Sequence, residues 1–291
     1  MLVIMGLALA MAAIDTPPSP PPEPDIIVEG VRPSAQKIRD FVRALTTVPS
    51  YGQIGRFHGQ VCPVAMGLGP VQDERIVERM RLVAAAAKVP LAPAANCVPN
   101  AFVIVAPDKA AAIRELNLRF PAYFSAMSDR EIRKLADAPE PAAAWQVMSL
   151  LTADGLEAAK AVGADYRTVR AANTPSRIKA ASKPTFKASV VVIDVKSAAG
   201  LTLVQLADYA AMRTFADIDP ARIAKVGVPS ILDVLGAPSD QPLPVTLTHW
   251  DLGFLKSLYT TDNSYLATYQ RGDIERVVKK EVEKAGAGDQ R

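Results

Sequence analysis

The sequence predicts an α+β fold: a single domain with a mixed sheet, packed helices and a helical C-terminal third. Three observations carry that expectation. Apolar runs of strand length recur at Asn100–Val105 (NAFVIV), Trp145–Leu151 (WQVMSLL) and Ser189–Val195 (SVVVIDV). Among them lie segments with apolar residues at helical spacing, each opened by an N-capping residue. Beyond Thr202, capped helical segments follow one another and no further strand-like run intervenes. No internal repeat or linker divides the body, so residues 34–285 are expected to fold as one domain, with a frayed tail over 286–291.

At the N-terminus, Met1 to Ile14 are almost wholly apolar and stop at Asp15. A helix of that length spans about 21 Å, short of a bilayer's hydrocarbon core. The run fits the apolar region of a secretory signal peptide over residues 1–13, with Ala8, Ala10, Ala12 and Ala13 offering small-residue cleavage sites. No Lys or Arg precedes it, unlike an ordinary signal; an uncleaved anchor and a buried N-terminal helix are the alternatives. Residues 14–33 follow as a Pro-rich spacer (Pro17, Pro18, Pro20, Pro21, Pro22, Pro24). Such a run lacks backbone donors and favours extended polyproline II. A ligand for a proline-recognising groove is the functional alternative to a stiff spacer.

The first helix is expected from Ser34, a good N-cap, to Leu45, with Ile38, Phe41, Val42 and Leu45 on one face. A strand-like stretch, Ile54 to Leu68, comes next. Gly69-Pro70 then breaks the chain and opens a long helix whose inner stripe is Ile76, Met80, Val83 and Ala87. Pro90 and Pro93 end it, and NAFVIV reads as a strand buried on both faces. Asp108–Leu118 is expected to be helical, and Ser128-Asp129-Arg130-Glu131 is a capping box opening a short helix to Ala136. The strands WQVMSLL and SVVVIDV complete the sheet. Thr202 to Gln205 is a second capping box, for a helix reaching about Phe215. A third, Thr248 to Asp251, opens a helix carrying Leu252, Leu255 and Leu258, and a polar helix over Ile274–Lys284 closes the chain.

Of 291 residues, 49% are hydrophobic and 22% charged, which excludes disorder throughout. The net charge of +3, from 33 basic and 30 acidic residues, is too balanced for a nucleic-acid binder, and no nucleic-acid partner is expected. One local exception runs from Asp165 to Asp194, where Arg167, Arg170, Arg177, Lys179, Lys183 and Lys187 occur with no intervening acid. Such a loop could touch an anionic surface, or simply be solvated. Cys62 and Cys97 form an even pair in a chain with export features, so a disulfide is expected. A nucleophilic thiol paired with His58 or His249 is the sharper alternative, and no protease signature surrounds either cysteine.

Catalytic motifs are mostly missing from the sequence. There is no G-x-S-x-G elbow, no Gly-rich phosphate loop after a strand and no H-E-x-x-H. No cofactor and no metal are expected. His58 reads as a half-exposed strand residue, opposite Phe57 and Val61. His249 opens the third capped helix beside Asp251, whose carboxylate is explained by the capping box. A zinc site from both histidines and Asp251 is conceivable, since three protein ligands suffice, but no spacing requires it.

The element order, with SVVVIDV, TLVQLADYAAMR, Ser230-Ile231-Leu232 and LTHWDLGFLKSLY, resembles zincin-type metallopeptidases. It is more closely similar to an uncharacterised family of exported, zincin-like bacterial proteins. The resemblance covers about the last hundred residues well and residues 54–105 loosely. It implies a helix with two histidines four apart and a glutamate after the first. Here those positions hold Asp208, Met212 and Tyr209. Only Asp208 could ligate a metal; Met212 is a poor zinc ligand and Tyr209 a poor base at neutral pH. The resemblance thus implies a scaffold without its catalytic machinery: an exported, non-catalytic domain binding a cell-envelope protein or polymer. An exported hydrolase using Asp208, His249 and Asp251 is the alternative. On the non-catalytic reading, Asp208→Ala is expected to cost roughly 0.5–2 kcal/mol through lost hydrogen bonds.

Overall fold

The computed structural model describes residues 33–49, 52–152, 155–160, 167–168, 178–236 and 242–288. The expected signal peptide, nearly all of the Pro-rich spacer, Arg170, Arg177 and residues 289–291 lie outside them.

Helix α1 (Ala35–Leu45) starts where expected, the Ser34 hydroxyl accepting from the Lys37 amide. The strand-like stretch over Ile54–Leu68 shrinks to β1 (Pro63–Met66). Its earlier residues spend their backbone groups on scattered partners instead of one ladder. The Ile54 amide donates to the Gln270 side chain, the Arg56 carbonyl accepts from Phe186, and the Val61 amide donates to Pro90. Helix α2 (Pro70–Ala86) follows, with Ile76, Met80, Val83 and Ala87 all buried. Strand β2 (Ala101–Ala106) runs parallel to β1. The Cys62–Cys97 disulfide, with Cα atoms 5.9 Å apart, ties the start of β1 to the loop ahead of β2.

Helix α3 (Lys109–Arg119) is capped by Asp108, a 3-10 turn spans Pro121–Phe124, and α4 (Asp129–Asp137) opens with the expected capping box. Strand β3 (Ala142–Thr152) and strand β6 (Ser182–Asp194) are both longer than their apolar runs. They pair antiparallel from Ala142↔Ile193 to Thr152↔Ser182, so the β3–β6 ribbon extends past Ser189, where the pairing of β6 with β2 begins. Between them, β4 (Ala159–Lys160) and β5 (Arg167–Thr168) make a two-residue antiparallel ladder.

The long β6 corrects the reading of one basic loop. Lys183 and Lys187 belong to the strand, and the Lys187 ammonium pairs with Glu157 at 2.7 Å. Lys179 bridges to Tyr265, with its ammonium 5.0 Å from the Tyr265 ring centroid and 3.8 Å from Asp262. Lys179 and Lys187 thus each lie beside an acid while their side chains stay about half exposed.

The sheet order is β1-β2-β6-β3, the first three parallel and β3 antiparallel at the edge. Alternation along the strands divides the core. Val103, Val105, Val191 and Ile193 face α2 and α5 (Leu203–Phe215), whereas Trp145, Val190 and Val192 face α3, the 3-10 turn and α4. Short α6 (Pro220–Ile223), then α7 (His249–Thr260) and α8 (Ala267–Gly288), extend the first of these cores together with α1. Helix α8 begins seven residues ahead of the expected Ile274 because its first turn is anchored from outside. The Ala267 amide donates to Gly52, and Arg271 donates to the Thr46 hydroxyl. At its other end α8 continues to Gly288, into the segment expected to fray. Among the described residues no helix is long and apolar enough to cross a membrane.

Candidate functional site

Helix α5 opens with the Thr202–Gln205 capping box, and every residue from Gln205 to Phe215 is buried. The sequence pattern suggests an amphipathic helix. The structure instead covers it on all sides, between the sheet and the layer of α2, α7 and the 3-10 turn at Ile231–Asp233. A buried helix must satisfy its polar side chains within the protein. Asp208, Tyr209 and Arg213 do so in different ways.

Asp208 is fully buried and grips the Arg79 guanidinium of α2 through two bonds, Nε to Oδ1 at 2.7 Å and Nη2 to Oδ2 at 3.1 Å. The Thr246 hydroxyl accepts from Arg79 at 2.6 Å and donates to Asp208 at 2.7 Å. The Leu247 amide donates to the same carboxylate at 2.8 Å. Asp251, also fully buried, holds the next residue of this segment, Thr248. It accepts from the Thr248 amide (3.0 Å) and hydroxyl (2.8 Å), the Ser230 hydroxyl (2.6 Å) and the Ile231 amide (2.9 Å). Burial pushes the Asp251 carboxyl upward, and these four donors oppose the shift.

The two carboxylates together clamp residues 246–248, Asp208 holding Thr246 and Leu247 and Asp251 holding Thr248. His249 is the first residue of α7, half-buried between them in sequence. His58 is elsewhere: its Nε2 lies 2.6 Å from the Asn263 amide nitrogen, beyond the far end of α7. Twelve helical residues separate the two ends, about 18 Å. The structure thus keeps His58 apart from His249 and Asp251. It also corrects the strand reading of His58, which is half-buried outside any ladder. Burial, then the charges of Arg56 and Lys183, push the His58 imidazole down to about 4. Among the described residues no three His, Cys, Asp or Glu side chains are grouped to hold a metal ion. Met212 is fully buried in the core.

Beside the clamp opens a cleft of about 770 Å³. Tyr209 and Arg213 line one wall, Thr246 and Thr248 another, and Asp233 borders it from the 3-10 turn. The Tyr209 hydroxyl accepts from Arg213 Nη1 at 2.8 Å, and the guanidinium carbon lies 5.8 Å from the Tyr209 ring centroid. Burial pushes the tyrosine hydroxyl up against the opposing effect of Arg213, so it keeps its proton. Asp233 is pushed up to about 6 by burial and then by the Asp251 charge.

Sequence reasoning singled out Asp208, Tyr209 and Asp251, and missed Arg79, Arg213 and Asp233. One signal was available: Arg213 interrupts an otherwise apolar turn, Ala210-Ala211-Met212-Arg213. A charge in such a run is either snorkelling or held for a purpose. Comparison with known protein families, with curated proteins and with solved structures finds no match to this chain.

Proposed function

We propose that this chain is an exported domain that binds a cell-envelope partner without catalysing a reaction on it, using a zincin-like scaffold that has lost its metal site. The observation that carries the reading is the saturation of Asp208 and Asp251. Each accepts four hydrogen bonds from the protein itself. A metal ligand or general base needs a free lone pair directed at its target. Arg79, Thr246 and Leu247 take those of Asp208, at the position the resemblance equates with a metal ligand. Export draws support from the apolar N-terminal run, the Pro-rich segment and the Cys62–Cys97 disulfide. The cleft beside the clamp is the proposed binding site.

The test is production of the full chain in a secreting host. N-terminal sequencing of the mature protein should find residues 1–13 removed, elemental analysis should find zinc far below one equivalent, and a broad peptide mixture should stay intact. Stoichiometric zinc that disappears in Asp208→Ala, together with peptide hydrolysis, would instead establish a hydrolase at Asp208, His249 and Asp251.

A further inference from the structure

Arg213 is a cation the fold buries without a bonded carboxylate. The residue is only 6% exposed, its Nη1 donates to a neutral phenol, and its Nε has no hydrogen-bond partner. Among the described residues no acid forms an ion pair with it. Asp217, one turn further along, acts on it only through space. Burying a guanidinium is costly unless an anion or a full set of acceptors replaces its water. The Tyr209 ring and hydroxyl supply part of that replacement. Tyr209 also retains its own proton, so beyond accepting from Arg213 it can donate. Two donors one helical turn apart therefore lie side by side in the wall of one cleft, matching the two oxygens of a carboxylate.

The rest of the cleft narrows the choice. Ile223, Val228, Leu232 and Leu243 contribute apolar wall, and the volume suits a ligand of ordinary cofactor or drug size. Glu140 and Asp233 line the same space. A second negative charge on a ligand would meet them and be repelled.

We propose that the cleft binds a small organic monocarboxylate, its carboxylate received by the Arg213 guanidinium and the Tyr209 hydroxyl and its apolar body lying along Ile223, Val228, Leu232 and Leu243. The inference rests on the binding reading above, and names the ligand class for that site.

Titration calorimetry of the full-length mature protein with octanoate tests it, with octyl phosphate and octylamine as comparison probes. Octanoate should bind saturably, and both comparison probes should bind about tenfold more weakly or not at all. Arg213→Gln should weaken octanoate by about tenfold or more, and Tyr209→Phe by a smaller factor, since a charged donor outweighs a neutral one. Because Arg213 is buried and its variant can fail to fold, Ala224→Trp serves as a second variant. Ala224 lines the cleft from an exposed position, and the indole should block octanoate while circular dichroism stays native. Absence of saturable octanoate binding overturns the proposal. So does octyl phosphate binding as tightly as octanoate, or an affinity unchanged in the folded variants. Peptide hydrolysis with octanoate binding intact would overturn the non-catalytic reading alone; an inert, zinc-free protein indifferent to octanoate would overturn the ligand class alone.

Discussion

Replacing Asp208 by alanine should be among the most damaging single changes available to this protein. The side chain is fully buried, and its Arg79 partner is only 14% exposed, so solvent can relieve little of the loss. The substitution removes a bidentate ion pair and two further bonds, from Thr246 and Leu247. It leaves the Arg79 charge without the carboxylate it grips and the Leu247 amide without its acceptor. Breaking a buried pair in this way costs about 3–5 kcal/mol, a large share of the 5–15 kcal/mol or so typical of a folded domain. That exceeds the roughly 0.5–2 kcal/mol expected when Asp208 is considered as one hydrogen-bonding residue. Urea unfolding followed by far-ultraviolet circular dichroism gives the free energy from the midpoint and slope. The double variant Arg79→Met/Asp208→Leu should recover much of the loss, because no stranded charge remains. A cost under about 1 kcal/mol for Asp208→Ala, or a double variant whose loss equals the sum of the singles, would refute the clamp argument.

His58 titrates near 4 in the folded protein against about 6.5 when unfolded. Its contribution to stability is therefore complete above pH 6.5 and is lost as pH falls toward 4; a ring-proton NMR titration of His58 with a midpoint near 6.5 would contradict this, and His58→Gln should flatten that part of the pH profile. The unreduced, unfolded protein should show no titratable thiol, and Cys62→Ser/Cys97→Ser should lose roughly 3–4 kcal/mol by the chain-entropy argument; two thiols in secreted protein would sink both the pairing and its support for export. Gly67 sits at φ +118° with an added Cβ only 1.9 Å from the Val105 carbonyl oxygen. Gly67→Ala should therefore cost about 2–4 kcal/mol, and a midpoint equal to wild type in urea would show that β1 can shift away from β2.

Much of the local structure was legible in the sequence because its causes are local. The capping boxes at Ser128, Thr202 and Thr248 involve residues three apart, and each opens a helix where the pattern places it. Likewise Gly69-Pro70 starts α2, and the runs NAFVIV and SVVVIDV lie in β2 and β6. The Cys62–Cys97 bond was legible by count, since two cysteines offer one intramolecular pairing. Elsewhere the deciding partner is distant in the chain. The apolar run of β2 says that both its faces are buried, but its place between β1 and β6 is a choice among strands far apart in sequence. Helix α8 starts at Ala267 because Gly52 accepts its amide proton, and β6 reaches back to Ser182 because β3 extends to meet it. The candidate site depended most on such partners. Asp208 in isolation is a carboxylate that could ligate a metal; Arg79, 129 residues earlier, and Thr246, 38 residues later, occupy its oxygens. Arg213 in isolation is one charge on a helix, and only tertiary packing encloses it in the wall of a cleft, bonded to the Tyr209 hydroxyl and not to a carboxylate. Periodicity and capping are properties of a few adjacent residues, whereas lone pairs and buried charges are settled by whichever groups the finished fold brings within 3 Å or so.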